Sequence, residues 1–145
     1  NGQGHETSYR QIAADRFDLP MEDFDYIQSD TAEVRIGHGH GGARSMHMGG
    51  GAMALAIDAV LEKARGVAAT LLQSEAGALD YDDGCFTVQG SDRSVTLLDV
   101  SAAARNPGFM SRSMKRAGCA SIRCLMSHCA AMTSTGVTPT VPWLR

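Results

Sequence analysis

Arg44 and Ser45 are the pair in this chain best suited to hold an anion. A guanidinium offers a planar fork of donors that matches phosphate or carboxylate, and a hydroxyl beside it adds another. The pair lies in GHGHGGARSMHMGGG, Gly37 to Gly51, where seven of fifteen residues are glycine. Glycine has no Cβ and accepts positive φ, so such a stretch brings backbone N–H groups close to a ligand. A second, shorter glycine loop, Gly2-Gln3-Gly4, opens the chain. His5, His38, His40 and His47 have metal-binding chemistry, but no Cys or acid completes a recognisable spacing around them. They read as hydrogen-bond donors of a polar loop, and no metal ligand is expected. Gly37, Gly39 and Gly42 match the G-x-G-x-x-G string. The dinucleotide fold needs that string to follow a strand, open a helix at once and precede an acid ending the next strand. Here the helical pattern starts several residues later, and Asp58 and Glu62 fall inside it, so the string is set aside. No Lys-Ser or Lys-Thr follows the glycines, which removes the phosphate-loop reading as well.

Both loops feed helical patterns. After Gly2-Gln3-Gly4, Tyr9, Ile12, Ala13 and Phe17 form one apolar stripe, with Thr7 or Ser8 as a cap and Leu19-Pro20 as the stop. After the second loop, a helix is expected from Met48 to Gln73. Met53, Ile57, Val60, Leu61, Ala64, Val67, Ala68, Leu71 and Leu72 share one face of it, and Asp58, Glu62, Lys63 and Arg65 hold the rest. Helix N-termini carry unpaired N–H groups and the positive end of the macrodipole. Two glycine loops opening two helices therefore suggest two clamps on one extended anionic ligand. Between them, Asp23 to Ser29 reads as a strand and Asp30-Thr31 as a turn. Beyond them, Leu79 to Gln89 reads as a β-hairpin about Asp83-Gly84. Ser94 to Thr96 is extended, and Leu97 to Arg105 is a short helix.

The net charge of −3 gives no reason to expect nucleic acid or an anionic membrane surface as partner. No apolar run approaches a membrane span, and no basic, then apolar, leader opens the chain, so the expected location is the cytoplasm. The averages hide a break. Residues 1–105 hold all 16 Asp and Glu, whereas residues 106–145 hold none, with five basic residues and three of the four Cys. Cys119, Cys124 and Cys129 lack the close paired spacings of zinc or iron–sulfur sites. The division expected is a body, 1–105, and a basic Cys/Met-rich tail, 106–145, translated out of frame.

GQGHET at the start, Asp30-Thr31, and then GHGHGGARS followed by GGGAMALA together resemble the molybdenum hydroxylases. These are the molybdopterin-binding large subunits of the xanthine dehydrogenase, aldehyde oxidase and aerobic carbon monoxide dehydrogenase group. The resemblance runs from Asn1 to about Arg105. It implies an α+β fragment of a molybdopterin-binding domain, with helices, a β-hairpin and glycine-rich cofactor loops. It implies that Gly2, Gln3, Gly4, Gly42, Ala43, Arg44 and Ser45 contact the pyranopterin cofactor and its phosphate or cytosine dinucleotide tail. It also implies hydroxylation of an electron-poor carbon using water, with electrons leaving through iron–sulfur and flavin subunits or domains of an oligomeric enzyme. Met46 and His47 depart from the family, which often has a small or hydroxyl residue and a proline there. The family's catalytic glutamate, in a Gly-x-Gly-Glu setting, has no counterpart in these 145 residues. No catalytic residue is therefore assigned, and the fragment alone is expected to be inactive. The reading of the residues without the resemblance leaves a rival, a non-catalytic nucleotide- or anion-binding module built on the same loops. Without its neighbours, the body should also expose apolar area on the long helix.

Overall fold

The computed structural model describes residues 2–28, 30, 32, 41–105 and 138–140. Two helices run through the body. Helix α1 spans His5–Phe17. Helix α2 spans Gly51–Leu72 and is preceded without a break by a π-helical segment, Ser45–Gly50. Helical backbone thus starts earlier than the sequence pattern suggests. Gly49, Gly50 and Gly51 lie inside the helix, and Arg44 and Ser45 lie at its first turn rather than in a loop. At Gly50 the helices approach closely: a Cβ there would meet Ile12 Cδ1 at 3.3 Å. The objection that helix formation comes too late after Gly42 therefore falls. The dinucleotide reading still lacks its acid, because Asp58 and Glu62 are both within α2.

Three contacts fix how the helices lie. The Tyr9 hydroxyl reaches Ser45, Ile12 faces Gly50, and Arg16 pairs with Asp58. Both sequences of partners ascend, so α1 and α2 run parallel, with their N-termini at the same end. The apolar stripes expected from periodicity form the seam. Tyr9, Ala13 and Phe17 of α1 are buried, as are Met53, Ile57, Val60, Ala64, Val67 and Ala68 of α2. Ile12, Leu61, Leu71 and Leu72 pack at their edges. Outside that seam, Leu55 of α2 is 72% exposed and Met48 of the π-helical segment 50%.

The cap expected at Thr7 or Ser8 is replaced by Gly4, whose φ of 67° starts the helix three residues earlier. At the other end Asp18 takes a left-handed conformation and its N–H bonds to the Ala14 carbonyl. The hairpin forms as read, β2 (Leu79–Asp82) against β3 (Cys85–Val88), turning at Asp83 and Gly84, both with positive φ. Strand β4 (Ser94–Thr96) adds to β3, making a three-stranded antiparallel sheet. Helix α3 (Leu97–Arg105) follows at once, its start capped by the Thr96 hydroxyl accepting from the Asp99 N–H at 3.1 Å. The strand expected over Asp23–Ser29 is shorter. Met21–Asp23 is a 3₁₀ turn, and β1 covers only Asp25–Ile27. It pairs antiparallel with β5, Thr138–Thr140. The architecture is α+β, as expected: helices packed on a small antiparallel sheet.

Candidate functional site

The site lies where α1 and the π-helical segment begin. Each start is built the same way. Gly4, with φ 67°, is followed by right-handed His5; Ala43, with φ 56°, is followed by right-handed Arg44, with φ −84°. A left-handed residue followed by a right-handed one turns successive N–H groups toward one side, which makes a concavity that favours anions. Neither start has a side-chain cap. The first turn of a helix has N–H groups without intrahelical partners, and the two macrodipoles point their positive ends the same way. Gly2, Gly4 and Gly42 all have positive φ, and a Cβ at any of them would meet no atom within 4 Å. Glycine is favoured there by backbone conformation, not by crowding. Ala43 adopts the same conformation with a side chain, which costs about 1–2 kcal/mol and places local strain beside the helix start.

Arg44 is exposed, and its guanidinium makes no hydrogen bond or ion pair among the described residues. Ser45 is buried, 3% exposed. Its carbonyl accepts the Tyr9 hydroxyl at 2.5 Å, a link across 36 residues that draws the two starts together. Tyr9 itself is 2% exposed, with His5 edge-on to one side at 5.9 Å and Tyr26 stacked at 5.9 Å. Burial pushes the Tyr26 phenol up to about 12, helped by Tyr9 and Glu6, so it stays neutral as a hydrogen-bonding group and donates to Gln28. Glu6 lies in the first turn of α1 and is paired with Arg10 at 3.7 Å.

The structure therefore brings Gly2, Gln3 and Gly4 to the same end as Gly42, Ala43, Arg44 and Ser45. Gly37, His38, Gly39 and His40 lie outside the described residues. Among the described residues, no three of His, Cys, Asp and Glu gather as a metal site would need. Two features escaped the sequence reading. Tyr9 reads as a core residue of the α1 stripe, and only the fold turns its hydroxyl onto a carbonyl 36 residues away. The positive φ of Ala43 has no sequence signal, since alanine seldom adopts it.

This donor set fits an anionic, extended group: backbone amides at two parallel helix starts, a cation without a partner among the described residues, and open glycine backbone. Comparison with known proteins points to the same class. The family described as molybdopterin cofactor-binding domain matches residues 1–134. The gamma subunit of the 6-hydroxypseudooxynicotine dehydrogenase complex of Paenarthrobacter nicotinovorans is 39% identical over 106 residues, 73% of this chain and 13% of that one. The carbon monoxide dehydrogenase large chain of Hydrogenophaga pseudoflava is 37% identical over 100 residues, 68% of this chain and 12% of that one. Among solved structures, a Cu,Mo-CO dehydrogenase in its carbon monoxide reduced state superposes with a TM-score of 0.66 at 34% identity, covering 73% of this chain and 14% of that one. The chain thus spans about an eighth of the length of the curated relatives it matches.

Proposed function

The chain belongs to the molybdopterin cofactor-binding domain family, and we propose that its two glycine-led helix starts hold the anionic part of that cofactor. Gly2, Gln3 and Gly4 form one clamp; Gly42, Ala43, Arg44 and Ser45 form the other. The observation that carries this reading is the parallel pairing of α1 and α2, which sets two uncapped N-termini side by side. Backbone amides and the Arg44 guanidinium then bind and orient the phosphate-bearing tail, in the plain or the cytosine dinucleotide form. When bound, the cofactor supplies the redox chemistry. This chain supplies its seat.

The whole enzyme, in this reading, is a molybdenum hydroxylase that uses water to hydroxylate an electron-poor carbon. It works with iron–sulfur and flavin subunits or domains, as an oligomer in the cytoplasm. The relatives' names, subunits of dehydrogenase complexes, support partner subunits, and no helix among the described residues is long and apolar enough to cross a membrane. In this reading no catalytic role is assigned to the described residues, and the isolated chain is expected to be inactive. Residues 106–145 are read as a tail translated out of frame, supported by the complete loss of acidic residues there. The family match nevertheless runs to residue 134. Resequencing across codons 100–115 should restore an acid-bearing frame; an unchanged frame overturns the frameshift.

The cofactor reading is tested in the full subunit by molybdenum and pterin content per folded protein. Arg44→Ala removes charge-assisted donors, a loss of roughly 1.5–3 kcal/mol, or about ten-fold to a hundred-fold in affinity. Arg44→Lys should rescue only part, because an ammonium lacks the planar fork. Full loading of Arg44→Ala would move the clamp elsewhere, and loss of loading in Met46→Ala or His47→Ala instead would place it further along the segment.

A further inference from the structure

We propose that Tyr9 is a positioning residue for the anion clamp, acting through the π-helical turn that aims Arg44. The inference rests on the clamp reading above. The Tyr9 ring is buried in the seam between α1 and α2, and its hydroxyl donates to the Ser45 carbonyl at 2.5 Å. Ser45 is the first residue of the π-helical segment, which ends at Gly50. A π turn departs from the regular i→i−4 ladder, and a side chain that enters that ladder is one source of local distortion in a helix. Tyr9 does this from α1, and the segment closes against the same helix, where Ile12 Cδ1 sits at the place a Gly50 Cβ would crowd. Among the described residues, these two supports of the π turn come from α1.

The π turn matters because of what lies upstream of it. Each residue added to a helical path rotates everything before it by about 100° about the axis. Arg44 directly precedes the segment, so its direction relative to α2 is set by whether Ser45–Gly50 is wound as π or as α. With the Tyr9 hydroxyl in place, the second helix start is held beside the first, whose own cap, Gly4, lies five residues before Tyr9 on the same helix. One hydroxyl thus couples the two clamps. The interaction also explains why a polar aromatic, rather than Phe, stands at a buried stripe position.

The test is a double-mutant cycle in the full subunit, with molybdenum and pterin retained per folded subunit after extended dialysis as the readout. Tyr9→Phe keeps the ring and its stack on Tyr26 and removes one donor. It should lower retention about two-fold to ten-fold. In an Arg44→Ala background the same change should cost nothing further, because Tyr9 acts through Arg44. Phe17→Leu, at the other end of α1, is the control for general loosening of that helix. It should lower the melting temperature and leave retention unchanged. Additive losses from Tyr9→Phe and Arg44→Ala, or full retention by Tyr9→Phe while Arg44→Ala loses the cofactor, would overturn the positioning role. Full retention by Arg44→Ala would instead overturn the clamp reading itself, so the two failures are distinguishable.

Discussion

The two ends of α1 are built on opposite terms. At its C-terminal end the backbone is tied down. The Tyr81 hydroxyl donates to the Phe17 carbonyl at 2.6 Å, the Asp83 N–H donates to the Asp18 carboxylate at 2.5 Å, and Leu19 covers Gly84 so closely that a Cβ there would come within 2.5 Å. At its N-terminal end neither helix start has a side-chain cap, glycines stand open, and a cation has no partner among the described residues. Polar groups that satisfy one another stabilise the fold; polar groups left over remain available to a ligand. The molecule separates the two along a single helix, so the donors at one end can be spared because the hairpin secures the other.

The largest effect that would sharpen this contrast is at Phe86. It is fully buried, tilted against Tyr81 at 4.6 Å, with the Arg65 guanidinium 5.7 Å from its centroid. Phe86→Ala should cost about 3–5 kcal/mol of stability, read by denaturant unfolding, while the surviving folded fraction keeps its cofactor affinity. Equal loss of affinity would break the separation. Next in size is Arg44→Ala, whose roughly 1.5–3 kcal/mol should appear in cofactor loading and leave the melting temperature unmoved, the mirror image of Phe86.

Smaller, and dependent on pH, is Tyr81. Burial first, then the charges of Asp18 and Cys85, raise its phenol well above the ordinary 10. The neutral form is favoured in the folded chain, so this stability is fully present below pH 10 and is lost as pH rises through the folded value. Tyr26 titrates in the same sense, between 10 and about 12. Melting temperature should therefore fall above pH 10, and Tyr81→Phe should flatten that fall while costing about 0.5–1.5 kcal/mol at neutral pH. An unchanged alkaline profile in Tyr81→Phe would detach this end from the tying role given to it. The smallest effect is expected of Ser45→Ala. A neutral hydroxyl contributes near the low end of that ~0.5–1.5 kcal/mol range, and it should appear in cofactor loading more than in stability.

Local pattern alone determined most of the elements. The 3.6-residue stripes of Tyr9, Ala13 and Phe17, and of Met53, Ile57, Val60 and Ala64, identify both helices and their buried faces. Asp83-Gly84 fixes the hairpin, because positive φ at both positions matches strand twist, and Leu97–Arg105 is helical as read. Glycine density also marked unusual backbone, and Gly2, Gly4 and Gly42 do adopt positive φ. The helix boundaries were less legible. Helical backbone begins at Ser45, three residues before the expected Met48, and Gly50 there lies close to Ile12 of α1. The parallel course of α1 and α2, the hydroxyl of Tyr9 on Ser45 and the left-handed turn at Ala43 depend on groups 36 residues apart meeting in space. Periodicity records which face of a helix is buried; the direction of its neighbour is decided only when both faces close on a common core.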